Sequence, residues 1–408
     1  MQLFYLEECS VCGNEALLEL WDLPNYPFTE TFGIYDSQYP SVNQKLFWCG
    51  TCTHIQLSSL VDSGFLYDSE AYHLRTLLNT KISNEITFLS DFIFDSLKTL
   101  DLETTNLHAL EFGGNNLAFA KSIKDNFKSF TVVDPLAPEY EENALKSFSV
   151  TIEEFASFNR GLSGVDIVIA RHTLEHISNP FGVLKSLTEL SHSEFLDIFI
   201  ECPSQEQIVF RSRWDTVTHQ HIHYFSVKSM RILFFRAGYS LVNARMNPRG
   251  SNGGSMLYHF SNRVEPKDFK YDENASIQGG DLTHSYSFED ISASIEVFRK
   301  QASLINEYFA LRASNGTDYC FGAGLLLPTL NYHLNGLIER IGLIHDDDSA
   351  KSGTGYKNLR VKISSENLEV NPQNRILITS LENTATIAKS LLTRGVHNVI
   401  CFMPISAD

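Results

Sequence analysis

Residues 107–115 read Leu-His-Ala-Leu-Glu-Phe-Gly-Gly-Asn, an apolar strand pattern that is broken by two glycines. A helix-like run follows over residues 116–127, and a second strand pattern over 129–134 ends in an acid, Asp134. Glycines at such a turn let the backbone approach a ligand, and the acid can accept hydrogen bonds from ribose hydroxyls. The stretch therefore predicts a nucleoside site in an α/β fold. Its expected lining residues are Glu111, Gly113, Gly114, Asn115, Asp134 and Ala170.

The glycine spacing indicates which nucleoside would bind. The pair Gly113-Gly114 does not match Gly-x-Gly-x-x-Gly, the pattern that cradles a pyrophosphate in dinucleotide sites. S-adenosylmethionine carries a ribose and an adenine but no phosphate, so it fits this turn better. The alternative for a Gly-Gly pair is an ordinary strand-to-helix turn without a ligand.

Strand and helix patterns alternate outward from this stretch. Strand patterns at 166–170 and 196–201, with helices between them, predict a parallel sheet covered by helices on both faces. A polar segment over 263–284 interrupts the alternation. A second α/β region is predicted beyond it, and its first strand turns at a Gly-Ala-Gly sequence, 322–324. Its long helix pattern covers 288–312, and its strand patterns cover 319–321, 341–345, 376–379 and 399–402.

Two Cys-x-x-Cys pairs stand near the start of the chain. They consist of Cys9 and Cys12, and of Cys49 and Cys52. The two-residue gap lets both thiolates of one turn face a single metal, and two such turns complete the tetrahedral shell of a structural zinc ion. A closed shell holds structure and leaves no open position for chemistry. Two disulfides or four unconnected thiols are the alternatives.

The composition restricts the class of protein. A chain of 408 residues, 43% of them apolar, can fill two or three domain cores. The formal net charge of −17 disfavours nucleic-acid and anionic-membrane partners, because phosphate groups would be repelled. Four metal-spaced cysteines among seven favour a reducing compartment. No signal peptide and no apolar stretch of about 18 residues is evident. We therefore expect a cytoplasmic enzyme for a small molecule, as a monomer or homodimer.

The order of these features resembles the nucleotide-sugar C-methyltransferases. The likeness covers nearly the whole chain and includes both cysteine pairs and the glycine turn after Glu111. Five further blocks carry it: 66–72 (LYDSEAY), 170–176 (ARHTLEH), 215–226 (DTVTHQHIHYFS), 253–255 (GGS) and 321–324 (FGAG). The resemblance implies an α/β fold in three parts. These are a zinc module over 1–75, a Rossmann-like class I methyltransferase core over 76–262, and a second Rossmann-like domain over 263–408 that helps to bind substrate.

The resemblance also implies a reaction. Members of the family methylate 4-keto-deoxysugars linked to a nucleoside diphosphate, with S-adenosylmethionine as the donor. A carbon next to a ketone loses its proton only if a base removes it while the enolate oxygen is stabilised. By this likeness His221 is the base, with His219 in the same block, while His176 and His172 face the sugar ketone or its neighbouring hydroxyl. Asp134 would hold the donor's ribose.

Several departures from the family pattern affect the acceptor site. Thr218 stands where the family has tyrosine, Gln220 where it has glutamate, and His172 where it has asparagine. The apolar run over 322–328 lacks the lysine that the family often places there. A different sugar or ring position, methylation of oxygen or nitrogen, and a repurposed member that keeps only the cofactor fold all stay open.

The candidate histidines also have structural interpretations. His219, His221 and His223 alternate, so in an extended segment all three would face one side and could bind a second metal. Each could equally be a hydrogen-bonded structural histidine. His176, just ahead of an Asn-Pro pair, could simply cap a strand-to-helix turn.

Overall fold

A computed structural model of the protein describes residues 1–29, 31–67, 84–158, 164–190, 194–247, 250, 253–263, 276–278, 285–311, 316–366 and 373–402. The chain forms two compact units, each assembled from three segments. The first unit comprises Met1–Leu20, Leu46–Phe210 and Gln220–Phe288, and the second comprises Trp21–Lys45, Arg211–His219 and Glu289–Asp408. Most of the 66–72 block and of the polar segment 263–284 lies outside the described residues. The three-part division at residues 75 and 262 stays a prediction.

The strands before residue 279 belong to the first unit, except that two of them extend into segment Trp21–Lys45 of the second unit. They are β1 Leu3–Tyr5, β2 Leu17–Pro27, β3 Ser41–Cys49, β4 Ile55–Leu57, β5 Ser59–Val61, β6 His108–Phe112, β7 Ser129–Val133, β8 Tyr140–Glu142, β9 Leu145–Phe148, β10 Ile167–Arg171, β11 Asp197–Pro203, β12 His223–Tyr224, β13 Ser240–Asn247, β14 Ser255–Ser261 and β15 Ser276–Gln278. The helices of the first unit are α1 Ser63–Tyr67, α2 Asn84–Thr99, α3 Ala118–Ile123, α4 Ile152–Phe158, α5 Pro180–Leu190, α6 Gln205–Arg211 and α7 Val227–Arg236. Strands β6, β7, β10 and β11 confirm the four strand patterns of this region to within two residues.

The main sheet of the first unit has nine strands in the order β15-β13-β14-β11-β10-β6-β7-β9-β8. Its centre, β11-β10-β6-β7-β9, is parallel, as the alternation of strands and helices requires. Strand β14 runs antiparallel to β11 and β13, and β8 runs antiparallel to β9. The expectation of a parallel sheet therefore holds for its centre, and the sheet as a whole is mixed. Short connections such as the two-residue turn between β8 and β9, where Asn143 has a φ of +53°, permit antiparallel pairs.

Apolar side chains cover both faces of this sheet. In β10, Val168 and Ala170 belong to one apolar cluster, and Ile167 and Ile169 belong to another. This alternation follows from the two-residue period of a strand, and buried runs of this kind are typical of central parallel strands. The first cluster also contains three of the four paired cysteines. The cysteine region therefore shares the core of the main sheet.

A short ladder fixes the chain that follows residue 220. Strand β12 pairs antiparallel with β4, and β4 pairs antiparallel with β3. The Leu57 amide extends this ladder by donating a hydrogen bond of 2.9 Å to the Ile222 carbonyl. The backbone that carries His221 is thus held by the strands next to the second cysteine pair.

The second unit contains a five-stranded parallel sheet in the order β18-β17-β16-β19-β20. Its strands are β16 Asp318–Phe321, β17 Leu343–His345, β18 Lys362–Ser364, β19 Arg375–Ile378 and β20 Asn398–Cys401. Its helices are α8 Phe288–Leu311, α9 Leu327–His333, α10 Leu337–Ile341 and α11 Thr384–Thr393. The strand order is that of a doubly wound α/β sheet. Among the described residues of the whole chain, no helix is long and apolar enough to cross a bilayer.

Candidate active site

The four paired cysteines meet in the first unit. The Sγ atoms of Cys9 and Cys52 lie 3.5 Å apart, as do those of Cys12 and Cys49, and all four sulfur atoms lie within 4.8 Å of one another. All four are free thiols. Zn–S bonds of about 2.3 Å in a tetrahedron set sulfur–sulfur distances of about 3.8 Å. The arrangement therefore fits a structural zinc ion, and the alternative of two disulfides does not match it.

Each cysteine pair is shaped by its own backbone turn. The Gly13 amide donates to the Cys9 carbonyl at 2.7 Å, and the Thr53 amide donates to the Cys49 carbonyl at 2.8 Å. Both donors have positive φ, +74° and +62°. Hydrogen bonds from Cys52 and Cys9 lower the pKa of Cys49, whereas hydrogen bonding to Cys49 raises the pKa of Cys9 to about 12. A zinc ion would replace the shared protons, because its charge stabilises thiolates.

The glycine turn and Asp134 form one hydrogen-bonded unit at the carboxyl ends of β6 and β7. The Asn115 amide donates to Oδ2 of Asp134 at 3.0 Å, and the Leu136 amide donates to Oδ1 at 2.7 Å. Gly113 has a φ of +79°, and a Cβ added there would lie 2.0 Å from Oγ1 of Thr173. Packing alone therefore requires this glycine. Each carboxylate oxygen of Asp134 has a second lone pair with which it can accept from a ribose hydroxyl.

Glu111 lies buried beneath the same turn. Its side chain is 2% exposed, and its Oε2 atom has no hydrogen-bond partner. A Cβ added at Gly114 would lie 3.0 Å from the Glu111 carboxyl group and 2.5 Å from Val132, so only glycine fits there. Burial, opposed by Arg171 and assisted by Asp134, raises the pKa of Glu111 to about 8. This acid is therefore neutral over most of the physiological range unless a ligand changes its surroundings.

The substitution Glu111→Gln is expected to remove a pH dependence of folding stability. Because the pKa of Glu111 rises from 4.5 to about 8 on folding, the folded chain keeps a proton that the unfolded chain releases between these values. The free energy of unfolding should thus fall as pH rises through this window, by up to about 1.4 kcal/mol per pH unit. Urea unfolding at several pH values measures the slope. Glu153→Gln, at an exposed position, is the control, and equal slopes in all three proteins would contradict the assignment.

A second group of polar side chains follows strand β10. His172 has a φ of +47°, and its side chain is 19% exposed. Its Nδ1 atom lies 3.4 Å from Oε1 of Glu175, and its Nε2 atom lies 3.8 Å from Oε1 of Glu201. Neither ring nitrogen has a hydrogen-bond partner. Burial alone would lower the pKa of His172, but the two carboxylates outweigh burial and raise it.

Glu175 is the carboxylate at the centre of this group. It is 1% exposed, and neither of its carboxylate oxygens has a hydrogen-bond partner. One ligand-type atom from each of Glu175, His176 and His221 lies within 4.8 Å of the others. Burial alone would raise the pKa of Glu175, but a contact with His172 and the charges of all three histidines lower it to about 2. Glu175 is therefore a buried negative charge facing histidines.

Two hydrogen bonds hold the loop before β12 against the turn that carries Glu175. The Ile222 amide donates to the Glu175 carbonyl at 2.9 Å. Nδ1 of His176 lies 2.8 Å from the Gln220 carbonyl. Because a carbonyl can only accept, Nδ1 carries the proton and the lone pair of this ring is on Nε2. The rings of His176 and His221 lie 4.9 Å apart at an angle of 71°.

Glu201 supports the same group from β11. It accepts hydrogen bonds from Nε of Arg171 at 3.1 Å and from Oγ of Ser255 at 2.7 Å. The Gly-Gly-Ser block at 253–255 thus serves to anchor a carboxylate. The sequence interpretation did not single out Glu175 or Glu201. A signal for Glu201 was present, because this charged residue directly follows the apolar run 198–200 at the end of a strand pattern.

The other two alternating histidines lie in different surroundings. His219 belongs to the second unit, where Nε2 donates to the Tyr26 carbonyl at 3.0 Å and Nδ1 lies 3.4 Å from the Gln44 amide nitrogen. Burial lowers the pKa of His219 to about 4. In the first unit, Nδ1 of His223 lies 3.0 Å from Nε2 of His54. Among the described residues, these three histidines do not form a candidate metal cluster, and His219 has the hydrogen bonds of a structural histidine.

Comparison with known families identifies the central part of the chain. Residues 79–244 match the family described as "Methyltransferase domain". The parallel centre of the main sheet lies in this range, whereas the reversed strand β14 follows it. By this match, the region is similar to a methyltransferase domain. The match includes the glycine turn, Asp134 and the group around Glu175. The four cysteines and the sheet of the second unit fall outside it.

Curated and solved proteins give further likenesses. The C-methyltransferase NovU from Streptomyces niveus is 22% identical over an alignment of 264 residues, and the match covers 62% of this chain and 60% of NovU. The chain thus matches about three-fifths of the length of that relative. The N-methyltransferase NodS from Bradyrhizobium japonicum WM9 is 13% identical with a TM-score of 0.33, covering 44% of this chain and 98% of NodS. Magnesium protoporphyrin IX methyltransferase from Synechocystis PCC 6803, with bound SAH, is 9% identical with a TM-score of 0.36, covering 49% of this chain and 99% of that enzyme.

Proposed function

We propose that the protein transfers a methyl group from S-adenosylmethionine to a carbon atom of a nucleotide-activated keto-deoxysugar. One observation carries the proposal: a nucleoside-type turn and a carboxylate–histidine group follow strands β6, β7 and β10 of one sheet. Carboxyl ends of parallel strands meet at one edge, so a donor and an acceptor can lie side by side there. The match to a C-methyltransferase favours carbon over oxygen or nitrogen as the acceptor atom.

The donor would lie over the turn at Gly113 and Gly114. Asp134 would accept hydrogen bonds from its ribose hydroxyls, and the Asn115 amide fixes the carboxylate for that purpose. Ala170, fully buried at the end of β10, would face the donor from the neighbouring strand. S-adenosylmethionine supplies an electrophilic methyl group on sulfonium. Structural zinc, held by the four cysteines, completes the proposed set of cofactors.

The acceptor would be activated by the histidines around Glu175. A histidine removes a proton from the carbon next to the sugar ketone, and the resulting enolate attacks the methyl group. The family likeness assigns this base to His221, with His176 beside the ketone. The same likeness includes His172, which lies directly after β10 and whose two ring nitrogens have no hydrogen-bond partner. Gln220 and Thr218 depart from the family, and they favour an oxygen or nitrogen acceptor as the second candidate.

The second unit is proposed to bind the nucleotide part of the substrate as a Rossmann-like domain. It repeats the hydrogen-bond pattern of the donor turn: the Ala323 amide donates to Oδ2 of Asp346 at 2.7 Å, and the Asp348 amide donates to Oδ1 at 2.9 Å. Gly322, with a φ of +104°, begins this turn after β16. The same backbone pattern holds the acid in the two units. A cytoplasmic location would give access to both the donor and nucleotide sugars.

The substitution Asp134→Ala is expected to weaken donor binding while leaving the fold intact. Two hydrogen bonds to ribose would be lost, each contributing about 1.5–3 kcal/mol if charge-assisted. Calorimetric titration with S-adenosylhomocysteine measures the change. Asp125→Ala, which removes an exposed carboxylate paired with Lys124, is the control. Unchanged affinity in the Asp134 variant would show that the ribose is held elsewhere.

The acceptor class can be tested with methyl-labelled S-adenosylmethionine and a panel of nucleotide sugars. Mass spectrometry should detect label on a nucleoside diphosphate 4-keto-deoxysugar, and NMR should place it on carbon. Label found on a hydroxyl or amino group instead would select the second candidate. If the donor binds but no keto sugar becomes labelled, the proposed acceptor class is contradicted.

A further inference from the structure

We propose that Glu175, His176 and His221 bind a catalytic divalent cation, distinct from the zinc of the four cysteines. The three residues offer one carboxylate oxygen and two imidazole nitrogens within 4.8 Å of one another. Two histidines and one glutamate are a donor set of catalytic zinc and, with open positions, of other divalent transition metals. Binding itself does not depend on the proposed reaction, although the role assigned to the cation below rests on it.

The first argument is the state of the Glu175 carboxylate. It is 1% exposed, and neither oxygen accepts a hydrogen bond. A buried carboxylate without hydrogen bonds is costly unless a cation compensates it. His172, one cationic candidate, lies 3.4 Å away and has no hydrogen bond at either ring nitrogen, so pairing these two leaves both incompletely satisfied. A divalent ion coordinated by Glu175 would satisfy the carboxylate directly.

The second argument is the orientation of the histidines. His176 donates its Nδ1 proton to the Gln220 carbonyl, which fixes the ring and puts its lone pair on Nε2. A backbone carbonyl in this role is typical of the groups that orient metal-bound histidines. The His221 ring meets His176 at 71° rather than stacking on it. The backbone hydrogen bond from the Ile222 amide to the Glu175 carbonyl holds the loop of His221 against the turn that carries the other two ligands.

The distances require only a small adjustment. Ligand bonds of about 2.0–2.1 Å to a tetrahedral ion place donor atoms about 3.4 Å apart. The present spread of up to 4.8 Å exceeds this value by about 1.4 Å, a difference that side-chain rotation on metal binding would remove. The site also explains why Gln220 can stand where the family has glutamate. Glu175 supplies the carboxylate, so a neutral side chain suffices at 220.

Such an ion would keep open positions for the ketone oxygen of the acceptor and would stabilise the enolate as a Lewis acid. The carbon–hydrogen bond next to the ketone breaks, and its proton moves to a ring nitrogen of His172. The electron pair forms the enolate, whose carbon then bonds to the methyl group. The carbon–sulfur bond of the donor breaks at the same time and releases S-adenosylhomocysteine. In this arrangement His221 binds the ion, and His172 takes the proton.

The test uses the full-length, zinc-replete protein and Co²⁺ as the probe. Wild type should bind one Co²⁺ per chain beyond its cysteine-bound zinc, with d–d absorption but no thiolate charge-transfer band. Glu175→Gln, His176→Ala and His221→Gln should each weaken this binding by 10-fold or more while retaining the first metal by elemental analysis. His108→Gln, a half-buried histidine bonded to Ser129, is the matched control and should bind Co²⁺ like wild type.

Two results would overturn the inference. One is a wild type that binds no second cation, and the other is a set of variants that bind Co²⁺ as tightly as wild type. Circular dichroism identifies any variant that fails to fold. His221 is partly exposed, so if the other variants do not fold, the Co²⁺ affinity of His221→Gln decides the outcome. S-adenosylhomocysteine titrated into the same preparation separates the two proposals. Donor binding without a second cation rejects this inference alone, whereas a second cation without donor binding rejects the proposed function alone.

Discussion

Replacing Cys49 by alanine should release zinc and unfold the first unit. Cys49 is fully buried, and its sulfur is one of four within 4.8 Å of one another. Structural zinc contributes about 10–16 kcal/mol to the folding of small zinc-finger peptides, so loss of one ligand should lower the free energy of unfolding by several kcal/mol. Cys9 and Cys52 share the apolar core of the main sheet, so the loss of stability should extend into that sheet.

Elemental analysis and thermal unfolding measure this effect together. Freshly purified wild type should contain one zinc per chain at the cysteine site, and Cys49→Ala should lose it. Cys401→Ala, at a half-buried position in the second unit, is the control and should keep the zinc. Zinc-free wild type with full stability, or disulfides among the four cysteines, would refute the assignment.

The substitution His221→Ala should lower methyl transfer by roughly 10²–10⁴-fold with the donor still bound. Its ring lies with Glu175 and His176 in the group that would activate the acceptor. A large loss is expected whether His221 takes the proton or binds an ion that stabilises the enolate. The donor turn at Gly113 and Asp134 is built from other elements, so affinity for S-adenosylhomocysteine should stay near the wild-type value.

Single-turnover transfer from labelled donor to the acceptor found in the sugar panel measures this loss. Exchange of the sugar's α-hydrogen with deuterated water, in the presence of S-adenosylhomocysteine, isolates the proton-removal step. Exchange should fall in parallel with transfer. His397→Ala, at an exposed position in the second unit, should change neither rate. Near-normal transfer in His221→Ala would remove this residue from the reaction.

The parts of the fold that depend on local pattern followed from the sequence. The apolar run before Gly113 and the acid after the next strand determine their own secondary structure, and both turned out as expected around β6 and β7. The cysteine spacing was equally informative, because a two-residue gap fixes where two thiols point. The antiparallel strands toward the edges of the sheet were not predicted, because the direction of a strand depends on its connection and on its neighbour in the sheet.

The arrangement of the proposed acceptor site could not be predicted from the sequence. Alternation put His219 and His221 on one side of an assumed extended segment. In the structure, strand β12 begins only at His223, and the two earlier histidines belong to different units. Glu175 has no distinctive spacing to its partners in the sequence. Its role depends on the loop at 220–222 folding back onto its turn, and this tertiary contact of 2.9 Å leaves no periodic pattern in the chain.

The most direct test of the central claim is a calorimetric titration of the zinc-replete, full-length protein with S-adenosylhomocysteine. The account predicts saturable binding of one molecule per chain, weakened in Asp134→Ala and retained in His221→Ala. A folded protein that gives no binding at millimolar ligand would contradict it, because the glycine turn and Asp134 would then be structural features without a donor.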